Sequence, residues 1–432
     1  MDTKVTTYPE ALKALYDLQK FGIKFGLSKT ARLLKAFGNP HRRRRFIHIA
    51  GTNGKGSAAA MVSSVLARSG LKVGLYTSPH LVRFTERFRI NDREMDRETA
   101  AGLASELLAA FDPHDPPTFF EVVTAMALVH FAREEVDVAI MEVGMGGRLD
   151  STNVIDPLVT VITNISLEHR QYLGKRLVDI AGEKGGIIKP GVELVTGVTQ
   201  PPVIQRIATI CRDKGARMIR LGRDVKYRNT TGGLNYTGPS LKLRGLRLGL
   251  PGRFQGRNAA LALSVLEVLE GKGFRLSEDH IRQGLARVNW PGRMQLISRR
   301  PDLVVDGGHN PRALRALADA IPHAFTFRRL ILVIGVMKDK DIPSMMKEIV
   351  PLADYVIYTR PVYARAASPE TLHRAAAALG KAGEIAPTLS QALDRATQIA
   401  DADDLILVSG SLFTAGEALA LLDPGKFRPD EI

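Results

Sequence analysis

The sequence is poor in cysteine, tryptophan and aromatic residues: one Cys, one Trp and 6% Phe, Trp and Tyr in 432 residues. A single thiol, Cys211, closes no intrachain disulfide and builds no thiolate metal cluster, which fits a reducing compartment; the cytoplasm is the expected location. Long apolar runs are missing too. No window stays apolar for about 18 residues, the length a membrane span requires. The first twenty residues, MDTKVTTYPEALKALYDLQK, carry charge from position 2 and read as an amphipathic helix, not as a signal peptide. The chain is therefore expected to be neither exported nor membrane-spanning. Acids are the scarcer charge, 45 against 60 bases, leaving a formal net charge of +15. That excess suggests an anionic partner without choosing among nucleic acid, membrane surface and phosphorylated metabolite. It is uneven: residues 1–50 carry eleven bases against three acids and residues 201–250 eleven against two, so the remainder is slightly acidic.

What is present is an ordinary globular composition, 45% apolar and 24% charged, enough for two or three domains. Short β-branched runs alternate with helical stretches, the pattern of βα units in a mostly parallel sheet. Strands are expected at 45–50, 72–77, 137–143, 158–163 and 193–197, with helices at 57–69, 120–135, 177–188 and 202–214 between them. Residues 223–250 break the pattern with Gly, Asn and Pro punctuating alternating residues, which predicts antiparallel hairpins. Helices at 255–270 and 278–287 follow, then Asn289-Trp290-Pro291-Gly292-Arg293 as a domain linker. A second αβ series places strands at 303–306, 330–335, 355–359 and 405–409, with helices at 311–320 and 369–379. The expected fold is α/β: a P-loop-type, mostly parallel sheet domain with a small antiparallel section over 1–295, then a smaller Rossmann-like α/β domain over 296–432.

Directly after the strand FIHIA comes Gly51-Thr52-Asn53-Gly54-Lys55-Gly56-Ser57 and a helix rich in small residues. Glycines let backbone N–H groups converge, a helix amino end favours an anion, and lysine reaches terminal phosphates. Ser57 is suited to Mg²⁺. The pattern departs from GxxxxGK[ST], since Ile49 stands at the first glycine position and Gly56 separates the lysine from the serine. A Gly-rich βα turn without a ligand is the competing reading, but a lysine flanked by two glycines has no packing rationale, so ATP is the expected ligand.

At this loop the sequence resembles the Mur ligase superfamily, and IHIAGTNGKGS joined to LYTSPHLVRFTERFRIN resembles its folate branch, the folylpolyglutamate and dihydrofolate synthases. Further similar blocks run almost the length of the chain: FFEVVTAMAL, EVGMGGRLDSTNV, TNISLEHRQYLG, IAGEKGGIIKPG, WPGRMQ, DGGHNP, GVMKDKD and GSLF. The resemblance implies an ATP-dependent amide ligase. ATP phosphorylates an acceptor carboxylate, and the amine of L-glutamate displaces phosphate from the acyl phosphate. The acceptor would be dihydropteroate, reduced folates or both. Such chemistry calls for a phosphate cradle, Mg²⁺ and cations around the transferred group, with water kept from a hydrolysable intermediate.

Carried over position by position, the resemblance assigns ATP to Thr52, Asn53, Gly54, Lys55, Gly56, Ser57, Asn258, Arg293 and Asp306. It assigns two Mg²⁺ ions to Ser78, Glu142 and His169, and L-glutamate to His309 and Ser411. Lys184 matches a lysine that is carbamylated in the superfamily, and with Lys55 and His309 it forms the expected catalytic set. The pterin is assigned to Thr118, Phe119, Phe120, Glu121, Leu149, Asp150 and Ser151, under a loop over 78–90, although paired aromatics at a helix start are more often core. The chain departs from relatives at Glu168, usually Asp, at Gly185 and at Phe254, usually His. It departs also at Gly308, usually Ala, where a looser turn is expected. The family is commonly monomeric. A cell-wall Mur ligase is the less favoured alternative, because only about fifty residues precede the phosphate loop, too few for a separate UDP-binding domain. A nucleic-acid-binding protein using Arg42 to Arg45 is disfavoured by the absence of any helix-turn-helix, zinc-finger or aromatic RNA-binding signature. Small molecules, not nucleic acid or membrane, are the expected partners.

Overall fold

A computed structural model describes residues 7–431 except 23, 25 and 382. Residues 1–6 of the expected amino-terminal helix lie outside the described residues. Helix Tyr8–Asp17 follows, started by a capping box between Thr7 and Glu10.

The first sheet has eight strands, in the order Arg93–Glu94, Phe88–Ile90, Val73–Tyr76, Val138–Glu142, Phe46–Ala50, Val159–Ile162, Glu193–Thr196 and Met218–Arg220. The last six run parallel, and the first two add antiparallel at one edge. The three central strands, VAIME, FIHIA and VTVI, are buried at every position, because helices cover both faces of the sheet. Helices Lys55–Arg68, Gln255–Glu270 and Glu278–Arg287 share one core with the three-stranded antiparallel sheet of Lys226–Thr230, Gly233–Thr237 and Lys242–Leu246. Helices Arg97–Ala109 and Phe119–Arg133 fill the other face. The latter, FFEVVTAMALVHFAR, is apolar nearly all round, as a helix enclosed on all sides must be.

The chain leaves this body at Trp290 and enters a six-stranded sheet, ordered Gln295–Ser298, Asp302–Val305, Leu405–Ser409, Leu330–Ile334, Tyr355–Tyr358 and Glu384–Ile385. Gln295–Ser298 pairs antiparallel and the others parallel. The second sheet thus begins at Gln295, with a half-buried edge strand, QLIS, that has no β-branched run to announce it. Short strands at the sheet ends, such as Arg93–Glu94 and Met218–Arg220, escaped the sequence for the same reason. The helix expected over 177–188 ends at Gly185, because the Gly185-Gly186 pair stops it and Ile187 and Ile188 turn into the core.

Candidate functional site

A cleft of about 480 Å³ lies between the carboxyl ends of the two parallel sheets, where doubly wound folds place their chemistry. Thr52 to Ser57, Ser78, Glu142, His169 and Asn258 line it from the first domain, Arg293 from the linker, and Asp306, His309 and Ser411 from the second. The fold therefore gathers, from positions up to 359 residues apart, the expected phosphate, metal and glutamate residues around one space.

Helix Lys55–Arg68 begins inside the phosphate loop, two residues earlier than expected. Its amino cap is Gly54, at φ +83°, with no side-chain cap, so the first amides stay available to an anion. A side chain at Gly54 would strike the Asn258 amide, and one at Gly56 the Trp290 indole. The loop is held from below. Asn164 accepts from the Asn53 amide at 3.1 Å and donates to its carbonyl at 2.7 Å, and Thr163 Oγ1 donates to the same carbonyl at 2.7 Å. Lys55 Nζ lies 3.8 Å from Glu142 Oε1, the carboxylate that ends the adjacent strand.

Glu142 is 6% exposed. Burial raises its pKa, opposed by Lys55, the Ser78 amide and Arg293. His169 sits in left-handed backbone at φ +42°, and burial, reinforced by Lys340, lowers its pKa and keeps the imidazole neutral, the form that ligates metal. Among the described residues no three His, Cys, Asp or Glu side chains form a protein-only metal cage. One buried carboxylate with Ser57, Ser78 and His169 nearby suits Mg²⁺, which keeps waters and takes substrate phosphates as ligands.

Lys184 does not line the cleft. It lies beneath the loop, 2% exposed, donating to Glu168 Oε1 at 2.6 Å and to the Gly51 carbonyl at 3.1 Å. Burial lowers the pKa of Lys184 against the pull of Glu168. Burial would raise the Glu168 carboxyl, but Lys184 and Lys55 outweigh it and bring it down to about 2. Glu168 also accepts from Thr52 Oγ1 at 3.0 Å, so the longer acid is tied to the phosphate loop itself.

In the second domain Asp306 pins its own turn, accepting from the Met294 amide at 3.0 Å and from the Gly308 amide at 2.8 Å. The same carboxylate holds the Gly308 backbone, whose φ lies outside the left-handed region. His309 Nδ1 lies 3.0 Å from the Gly307 carbonyl, and burial, helped by Lys340, lowers its pKa to about 4. Asn258 Nδ2 donates to Gln255 Oε1 at 2.7 Å, which orients the amide oxygen toward Gly54. Ser411 caps helix Leu412–Leu422, accepting from the Thr414 amide at 2.9 Å.

The seven residues expected to bind a pterin do not line this cleft. Thr118 and Glu121 form a buried capping box for helix Phe119–Arg133, and Phe119 stacks on Tyr16 at 5.5 Å. Asp150 accepts from the Met145 amide at 2.9 Å and from Thr152 Oγ1 at 2.6 Å, capping the turn Ser151–Val154; Leu149 is half-buried beside it. Phe120 packs its ring over Gly144, which lines the cleft. Residues the sequence reading passed over also line the cleft: Asn164, Arg257, Arg312, Lys340 and Arg365. Asn164 and Lys340 lie within blocks already noted, TNIS and GVMKDKD, whereas nothing in the sequence marked Arg312 or Arg365.

An uncapped helix start carrying a lysine, faced across a cleft by a second αβ edge, defines a nucleotide-dependent enzyme of the two-domain ligase class. The chain belongs to the Mur ligase family, in its folylpolyglutamate synthase and dihydrofolate synthase branch. Residues 49–266 match the Mur ligase middle domain and residues 292–412 the Mur ligase glutamate ligase domain. The dihydrofolate synthase/folylpolyglutamate synthase of Bacillus subtilis is 33% identical over 94% of this chain and 97% of its own. A probable bifunctional folylpolyglutamate synthase/dihydropteroate synthase of Haloferax volcanii is 36% identical over 95% of this chain, which spans 50% of that longer relative. Among solved structures, Escherichia coli FolC in complex with DHPP and ADP superposes with TM-score 0.91 at 32% identity, covering 99% of this chain and 100% of that one. The bifunctional synthase of Yersinia pestis complexed with AMPPNP and Mn superposes with TM-score 0.89 at 31% identity, over 98% and 99%. Among the described residues no helix is long and apolar enough to cross a membrane.

Proposed function

We propose that the chain joins L-glutamate to dihydropteroate and to reduced folates, extending the latter as γ-glutamyl chains, through an acyl phosphate made from ATP. The observation that carries this reading is the facing of two edges across one cleft. The uncapped start of helix Lys55–Arg68 suits a polyphosphate, and the His309 and Ser411 edge belongs to the domain that matches a glutamate ligase. Lys55 and Arg293 neutralise the phosphates, Asn258 reads the base, and Asp306 keeps the linker and the DGGHNP turn in register. Two Mg²⁺ ions, held by Ser78, Glu142 and His169, would screen the negative charge that phosphoryl transfer brings together. His309, held neutral, and Ser411 take the incoming glutamate. The carboxylate oxygen of the acceptor takes the γ-phosphoryl group and ADP leaves. The glutamate nitrogen then bonds to the acyl carbon, phosphate departs, and the amine loses a proton.

Lys184 is assigned a carbamate. Burial favours the neutral amine that reacts with CO₂, and the adduct would replace the ammonium that now binds Glu168. The acceptor heterocycle is assigned to the region of Phe119, Phe120 and Asp150. The protein is proposed to act as a monomer in the cytoplasm, consistent with its buried free Cys211. The test is ADP release with dihydropteroate and with tetrahydrofolate, each plus L-glutamate, with product masses read in parallel. Turnover of both supports a bifunctional enzyme, turnover of one reduces it to a single activity, and failure with both overturns the folate assignment.

A further inference from the structure

Arg312 stands where its surroundings disfavour a positive charge. It is the second residue of helix Pro311–Ala324, at the positive end of the helix dipole. Burial and the nearby Arg257 guanidinium both oppose its charge. Its partners are neutral oxygens, since Nη1 donates to the Ile165 carbonyl at 3.1 Å and to Ser166 Oγ at 3.0 Å. A half-buried arginine at a helix start, held by neutral acceptors on the other domain, is explained by what those acceptors do.

Ile165 and Ser166 lie in the segment after strand Val159–Ile162 that ends in His169. The Ser166 amide donates to Thr52 Oγ1 at 3.1 Å, and Thr52 Oγ1 donates to Glu168. Asn164, one residue before Ile165, clasps the backbone of Asn53 from both sides. One segment thus carries the floor of the phosphate loop and presents His169, and Arg312 reaches it from the turn that carries His309. Two residues before Arg312, Asn310 exchanges amide hydrogen bonds with Asn53 at 2.7 and 3.1 Å, so the same helix start grips the phosphate loop directly.

We propose that Arg312 is a positioning residue of the ligation step, tying segment 163–169 to the second domain so that the phosphate loop and the glutamate edge stay in register while the acyl phosphate awaits the amine. This rests on the ligase reading above. When the register is lost, water replaces the amine at the acyl carbon, phosphate leaves, and the carboxylate is regenerated. ATP is then consumed with no amide formed.

The experiment compares the native protein with Arg312→Gln, Arg312→Lys, Ser166→Ala and the Arg312→Gln/Ser166→Ala pair, reading ADP released against amide formed under saturating ATP. Arg312→Gln is expected to lower kcat by roughly 10- to 100-fold and to release ADP in excess of amide. Arg312→Lys should restore part of the coupling, because an ammonium still reaches the Ile165 carbonyl. The double substitution should cost less than the two singles combined. Equal ADP and amide in Arg312→Gln, or additive effects of the two substitutions, would overturn the proposal and leave Arg312 a simple domain contact. The native assay separates the two readings: no amide from the native protein overturns the ligase reading and this role with it, whereas native ligation with a fully coupled Arg312→Gln overturns the role alone.

Discussion

Both sheets of this protein end in a glycine-rich turn followed by a helix, yet the two helix starts are finished in opposite ways. Helix Lys55–Arg68 is capped by Gly54 in left-handed backbone, with no side chain spent on its free amides. Helix Pro311–Ala324 is capped by Asn310, whose Oδ1 accepts from the Ala313 amide at 2.9 Å, and it opens on a proline that has no amide to leave free. The first start leaves its amides open to an anion. The second has the Ala313 amide taken by its cap and uses the same cap residue to reach Asn53 across the cleft. The same βα geometry thus serves as cradle in one domain and as clamp in the other, and the amino cap decides which.

The largest expected effect comes from removing the charge at the open start. Lys55→Ala should lower kcat by roughly 100- to 1000-fold with the fold intact by circular dichroism; near-native turnover would remove the cradle from the chemistry. Adding a side chain at the cap itself comes next. Gly54→Ala forces alanine into left-handed backbone and against Asn258, a strain on the order of 1–3 kcal/mol. It should appear as weaker binding of an ATP analogue, followed through the fluorescence of Trp290, which lies beside Gly56. Unaltered affinity would mean that the open start is not what binds nucleotide.

The clamp can be split into its two uses. Asn310→Ala loses a cap, about 1 kcal/mol, as well as the exchange with Asn53, so both melting temperature and turnover should drop. Asn310→Ser restores the cap but not the reach to Asn53; its melting temperature should recover while turnover stays low. Recovery of both would show that Asn310 serves only its own helix. The smallest effect lies far from the cleft, where Asp404 anchors the second domain. Burial would raise its carboxyl, but bonds from Arg329, the Asp401 amide and Arg328 outweigh it and bring it down to about 2. A depressed carboxylate stabilises the fold fully above its unfolded pKa of about 4. That contribution should fade as pH falls from about 4 toward 2, a slope that calorimetry should find reduced in Asp404→Asn.

Much of this was legible in order along the chain. Central strands announce themselves by unbroken apolar runs because both their faces are covered, and helix Gln255–Glu270 fell at its expected bounds. Edge strands did not, since QLIS or MIR needs a neighbour before it is a strand. At the site, Thr52 to Ser57, Glu142 and His309 were marked by glycines and strand ends. Thr118, Glu121 and Asp150 were equally marked by motif, yet their polar atoms are engaged in caps and turns.

The sequence by itself determined the alternation of strand and helix, the phosphate loop and the membership of a ligase family, because these depend on local spacing and residue type. Only the tertiary structure decided that Lys184 lies under the loop, that Asn53 meets Asn310, and that Arg312 holds Ser166. Those partners are 133, 257 and 146 residues apart. Hydrogen bonds of about 3 Å between such distant groups depend on how two sheets are set against each other, and no local pattern encodes that placement.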